Sequence, residues 1–280
     1  MPELPEVETI RRDLGPLLVG RTITGVTVGW EGCVDRPSMA SFCEQVVGRR
    51  VETVGRRGKF LVFGLSGGRA LLTHLRMTGS LLLREPTEPW ETHARLAFSL
   101  DNGQELRFAD VRKFGRLYLT ESPEEVLGDL GPEPLGEGFD LDAFGRLFEN
   151  RRGMIKPLFL NQRFLAGLGN IYVDEALFRA RMHPRRTVDS LSREELGCLY
   201  EAIRSVLQEA IADQGTSRSD YVRPDGSEGR HQDQLLVSGR AGEPCPCCGT
   251  EIERIVVGGR GTFLCPRCQT GPTDQSTQAS

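Results

Sequence analysis

The sequence predicts an α+β fold in two domains: a β-sandwich or barrel with a helix at its N-terminus, then a helical region carrying a small cysteine module. Three observations predict it. Residues 22–120 are largely short alternating or β-branched runs separated by Gly-, Asn- and Asp-rich turns. After an acidic, Pro/Gly-rich stretch the apolar spacing becomes helical. Five of the eight cysteines crowd between Cys245 and Cys268.

Each element has its own reason. Residues 3–14 place Leu4, Val7, Ile10 and Leu14 on one side of a short helix. The runs 22–30, 49–65, 69–83, 93–100 and 104–120 read as strands, with Asp101-Asn102-Gly103 as a hairpin turn. The stretch 121–140 reads as an interdomain linker with a short helix over 123–130. Helical spacing then covers 142–151, 155–162, 170–181 and 192–214, with a Gly-Leu-Gly-Asn turn at 167–170. Residues 215–234 are polar and Gly-rich, a loop too long for a simple connector. Residues 270–280 are polar and expected to be disordered.

Composition narrows the function. With 280 residues the chain can bury more than one core, and 38% hydrophobic with 26% charged residues is ordinary for a globular protein. No apolar run approaches the ~20 residues of a membrane helix, and the N-terminus lacks a signal peptide. A cytoplasmic, reducing location with no membrane partner is expected. A net charge of −4 taken whole argues against nucleic-acid binding, but its distribution argues the other way. Residues 151–186 carry eight Arg/Lys and two acids; residues 121–142 carry eight acids and no Arg or Lys. Such segregation allows a basic surface on an acidic protein.

Four motifs carry chemistry. Pro2 follows the start methionine; its removal would leave a secondary amine beside the Glu3 carboxylate, a nucleophile for an aldehyde carbon. Cys245-x2-Cys248 and Cys265-x2-Cys268 have the spacing of one structural Zn²⁺, with Cys247 a possible substitute ligand. Clustered cysteines in a chain without an export signal favour metal over disulfides. Asn170 is either an N-cap or part of a helix-start phosphate site, and Lys156 is a candidate phosphate contact in the same region. Arg260, near the middle of the expected hairpin, could reach a partner. His74, Met77, Arg112 and Phe114 fall on two turn-prone segments; Met77 and Phe114 suit core packing or, with the guanidinium, a wedge into a base stack.

Most of these residues sit in PELPEVET, RRGKFL, HLRMTGSL, RKFG, LGPEPL, IKPLFLNQ, AGLGNIYVDEALF and TFLCPRCQ. In that order, from residue 1 to about 269, the chain resembles the bacterial formamidopyrimidine-DNA glycosylases, base-excision enzymes that remove oxidised purines such as 8-oxoguanine. The resemblance implies an N-terminal catalytic β-sandwich domain over 1–130. A helix–two-turns–helix DNA-binding domain with a lesion-capping loop follows over 131–240, and a β-hairpin zinc finger over 241–269. It implies a bifunctional glycosylase and abasic-site lyase that forms a Schiff base through Pro2 and nicks by β,δ-elimination. Catalytic roles fall on Pro2, Glu3 and Lys59. DNA contacts fall on His74, Met77, His93, Arg112, Phe114, Lys156, Asn170 and Arg260, with Arg112 reading the orphaned cytosine. The cofactor is one structural Zn²⁺ on Cys245, Cys248, Cys265 and Cys268. The partner is damaged double-stranded DNA, met by a monomer associated with the nucleoid. Arg76 stands where the family often has glycine, Arg95 where it often has a second histidine, Val111 where it usually has proline, and Lys113 where it has a second arginine. The sister endonuclease VIII type, which acts on oxidised pyrimidines, and a DNA-binding protein without excision are the alternatives.

Overall fold

The computed structural model describes residues 1–218 and 220–271. Residues 272–280, most of the expected disordered tail, lie outside the described residues. The chain forms two compact units, one of Met1–Asp129 with Ala210–Gln232, the other of Leu130–Glu209 with the residues from Asp233 onward. The return of 210–232 to the N-terminal unit departs from a single body over 131–240. Polar bonds explain it: the Thr216 N–H donates to buried Glu6 at 2.9 Å, and half-buried Arg223 pairs with Asp13 at 2.9 Å.

In the first unit, α1 (Leu4–Leu18) buries Leu4, Val7, Ile10, Leu14 and Leu18, extending the expected stripe by one turn. Two sheets share its core. The four-stranded sheet runs β1 (Ile23–Val28), β7 (Ala94–Leu100), β8 (Glu105–Asp110), β6 (Gly79–Arg84), all antiparallel. The five-stranded sheet runs β2 (Val34–Arg36), β9 (Arg116–Thr120), β5 (Arg69–His74), β4 (Phe60–Leu65), β3 (Val51–Arg57). Its β2–β9 edge is parallel. Phe63, Leu71, Phe98 and Leu106 bring both sheets into one apolar cluster. The sequence pattern predicts no helix here, yet α2 (Met39–Val46) interrupts the strands. Ser38 caps it, and Phe42 and Val46, one turn apart, are fully buried. A short α3 (Glu124–Leu127) closes the unit's first segment.

The second unit holds α4 (Leu141–Arg146), α5 (Ile155–Leu160), α6 (Asn170–Arg179) and most of α7 (Arg193–Ala212). A capping box starts α7: Ser192 Oγ accepts from the Glu195 N–H and Glu195 Oε2 from the Ser192 N–H. Phe144, Phe148, Phe159 and Phe164 stack edge and face in its core. The hairpin β10 (Glu253–Val257) and β11 (Arg260–Leu264) follows. No helix among the described residues is long and apolar enough to cross a membrane.

Candidate active site and nucleic-acid interface

Pro2 is buried at the threshold of α1. The Glu3 N–H donates to Glu6 Oε2 at 2.7 Å, while Glu6 Oε1 takes the Thr216 N–H. One buried carboxylate thus holds both the chain start and the opening of the 215–234 loop. Farther along α1, Glu8 accepts from Arg11, Arg12 and Arg56. Burial pushes its carboxyl up, but the three guanidinium bonds outweigh that and hold it at about 2. Arg56 is on β3, three residues before Lys59, so Glu8 ties the helix to the base of the Lys59 turn. Gly58, in the left-handed region at φ 55, and Lys59 form the two-residue link from β3 to β4. Lys59 is 6% exposed.

His74 pairs with Phe60 across β4 and β5, ring against ring at 4.5 Å. Burial, with help from the Arg76 and Lys59 charges, lowers it to about 3. The neutral ring accepts the Arg76 N–H at Nδ1, 3.0 Å away. This turn needs Arg76 at φ 55, which accounts for the glycine the family often places there. His74 therefore lies beneath the loop and is not one of its exposed contacts.

Met77, Arg112 and Phe114 do come together. Arg112 Nη1 donates to Met77 Sδ at 3.2 Å, and its guanidinium lies 4.8 Å from the Phe114 ring centre. Met77 and Phe114 are 37% and 47% exposed, which decides against core packing. Lys113, at φ 60, turns the other way and lies 5.3 Å from the Trp30 ring. His93 is exposed, with Nδ1 3.4 Å from Arg95 Nη2.

In the second unit, Lys156 is fully buried. Its ammonium donates to Asp174 Oδ1 at 2.6 Å, Thr262 Oγ1 at 2.8 Å and the Gly261 carbonyl at 3.2 Å. The expected phosphate contact is corrected accordingly: three internal acceptors match the three donors of an ammonium. Burial pushes the Asp174 carboxyl up to about 7, against the pull of Lys156. Asp174 Oδ2 also takes the Phe263 N–H. Asn170 does not cap α6; Gly169 precedes the helix, and Asn170 Nδ2 donates to the Gly261 carbonyl at 2.9 Å. Four bonds from α5 and α6 thus converge on 261–263, next to exposed Arg260. Gly258 and Gly259, both at positive φ, make the tight turn that presents it.

The thiols of Cys245, Cys248, Cys265 and Cys268 lie within 4.8 Å of one another. Cys245 to Cys268 is 3.9 Å and Cys248 to Cys265 is 3.5 Å. Tetrahedral Zn–S bonds of ~2.3 Å require sulfur separations of about 3.8 Å, so the four fit one structural zinc. Exposed Cys247 is outside the cluster.

Sequence reasoning missed the buried carboxylates Glu6, Glu8, Asp110, Asp174 and Glu175. Glu175 accepts three consecutive N–H groups, those of Leu236, Val237 and Ser238. The available signal was the placement of Glu6 and Glu8 beside the apolar stripe of α1.

Residues 1–117 match the Formamidopyrimidine-DNA glycosylase N-terminal domain, 130–221 the Formamidopyrimidine-DNA glycosylase H2TH domain, and 242–271 the zinc finger found in FPG and IleRS. The formamidopyrimidine-DNA glycosylase of Heliobacterium modesticaldum is 48% identical over 276 residues, covering 96% of this chain and 100% of the relative. That of Herpetosiphon aurantiacus is 47% identical over 272 residues, with 96% and 100% covered. The chain belongs to the formamidopyrimidine-DNA glycosylase family. Solved glycosylase structures agree in fold. A Lactococcus lactis variant in complex with Fapy-dG-containing DNA superposes with a TM-score of 0.91 at 37% identity, covering 96% of this chain and 100% of that one. The L. lactis enzyme with abasic-site DNA gives 0.89 at 37% identity and the same coverage.

Proposed function

We propose that this glycosylase excises oxidised purines, 8-oxoguanine and formamidopyrimidines, from duplex DNA through the Pro2 nitrogen. Its class follows from the family: a DNA glycosylase of base excision repair with abasic-site lyase activity. The finer reading rests on one observation. Within a single unit, a buried Pro2–Glu3 helix threshold accompanies an exposed Met77–Arg112–Phe114 wedge.

A base inside a duplex is out of reach, so the nucleotide is everted at a cost of a few kcal/mol. The wedge fills the vacated stack, with Arg112 facing the orphaned cytosine. The Pro2 nitrogen then bonds to C1′ as the glycosidic C–N bond breaks, and the base leaves with a proton. Glu3 relays protons as the sugar ring opens to the iminium. The iminium acidifies the C2′–H, and β- then δ-elimination expels the 3′ and 5′ phosphates. Lys59 holds the phosphate of the damaged nucleotide. His93, Arg260 and the second Nδ2 hydrogen of Asn170 supply backbone contacts. The enzyme works as a monomer in the cytoplasm, kept at the nucleoid by DNA.

Intact mass and borohydride trapping test this together. The purified chain is expected to lack Met1 and to form a trapped adduct with abasic DNA, and Pro2→Gly is expected to form none. Wild-type trapping by Pro2→Gly overturns the nucleophile. A solved L. lactis complex holds DNA with an oxidised pyrimidine, so substrate class needs its own measurement. Cleavage of 8-oxoguanine:C ahead of thymine-glycol duplexes is expected, and the reverse order assigns the chain to the sister activity.

A further inference from the structure

Asp110 ends β8 and is 1% exposed. A carboxylate so deeply buried persists only when hydrogen bonds satisfy it. Its partners come from two loops. Oδ1 accepts from Thr78 Oγ1 and, at 3.1 Å, from the Arg112 N–H. Oδ2 accepts from the Gly115 N–H at 2.7 Å. The Arg112 N–H is shared with Thr78 Oγ1, also at 3.1 Å. The Asp110 main chain adds two more ties: its N–H donates to the His93 carbonyl at 2.9 Å, and its carbonyl accepts from Arg95 Nε at 2.8 Å. Thr78 directly follows Met77, and the 112–115 turn carries Arg112 and Phe114. Space against the turn is tight: a Cβ on Gly115 would stand 2.5 Å from Phe108 Cζ and 3.2 Å from Asp110 Oδ2.

We propose that Asp110, with Thr78, is a positioning residue that clamps the two loops so that Met77, Arg112 and Phe114 enter the stack as one rigid wedge. The proposal depends on the wedge role given to that trio under Proposed function. The exposed trio has few contacts of its own, and its members come from segments more than thirty residues apart (Met77 and Arg112). A carboxylate beneath them fixes both backbones at once, and the hydroxyl of Thr78 links the two. Asparagine at 110 keeps the shape but replaces one acceptor oxygen with a donor, so it can no longer satisfy both loops. The wedge then loosens while the Pro2 end of the unit is untouched.

The test compares Asp110→Asn, Thr78→Val and Thr78→Ser in the full zinc-loaded chain. Single-turnover excision of 8-oxoguanine opposite cytosine is expected to fall about tenfold to hundredfold in D110N and T78V, the scale of a small misplacement of catalytic geometry. The rate ratio between cytosine and adenine partners is expected to shrink toward one, because Arg112 no longer holds its place. Trapping to a preformed abasic site, with no base to unstack, is expected to stay within about threefold of wild type. T78S retains the hydroxyl and is expected to restore both rate and ratio. An unchanged partner-base ratio in folded D110N and T78V overturns the proposal, and so does an equal loss of excision and trapping. If D110N fails to fold, T78V carries the same comparison. The Pro2 reading fails separately, by absence of any trapped adduct in the wild-type chain, whereas the ratio needs only excision.

Discussion

Asp174 governs the cost of removing Lys156. The two side chains form a fully buried pair at 2.6 Å. Breaking such a pair by deleting one partner typically costs about 3–5 kcal/mol, because the other charge is left unmatched. Asp174 can escape by protonating, since burial already lifts it to about 7. A carboxyl raised in the folded state carries little penalty below its ordinary value and one that grows from there up to the folded value, which loss of the Lys156 charge moves higher still. Lys156→Met is therefore expected to be near-tolerated at pH 6 and strongly destabilised at pH 8.5, measured as the difference in Tm from wild type. A pH-independent difference would contradict the pairing. The lysine's surroundings were hidden in the sequence because its acceptors lie 18, 105 and 106 positions away. The four zinc cysteines were legible because their chemistry depends on spacing alone. Asp110 was not, since nothing local marks a strand-end aspartate as the support of two loops.

At the level of elements, the β10–β11 hairpin is small, and its order depends on the metal and on α6. Structural zinc sites contribute folding free energy directly. Chelation is expected to open the amides of 253–264 to hydrogen exchange while those of β4, β5 and β9 stay protected, and to weaken DNA binding with them. Retained protection in the hairpin after full zinc loss would show that Asp174 and Asn170 alone suffice to hold it. The strands and the hairpin could be read from alternation and CxxC spacing. Helix α2 could not, because eight residues inside a β-rich stretch give too short a window for a helical period. Its signals were a Ser38 cap and the Phe42–Val46 pair. Likewise Asn170 looked like a cap by type, while its amide serves a distant hairpin carbonyl.

Across the molecule, charge placement matters more than its sum of −4. Phosphate contacts release counterions, so binding falls linearly with salt on logarithmic axes. Arg260→Ala is expected to weaken binding to all duplexes alike and to lower that slope by about one. A loss confined to one sequence or one partner base would instead make Arg260 a reader of bases. The two-domain plan was visible in the change of hydrophobic period. The membership of 210–232 was not, because a polar loop gives no hint of which core it joins.

That membership bears on how the protein is made. Glu6 leaves the ribosome 210 positions ahead of the Thr216 amide it holds. At translation rates of ~5–20 residues per second, the wait is roughly 10–40 s. Throughout it, the nascent sandwich stands unfinished while the whole of 130–209 emerges. A message truncated before codon 216 would release a product whose opening helix has lost one of the amides that anchor it, and quality-control proteases would meet that fragment first.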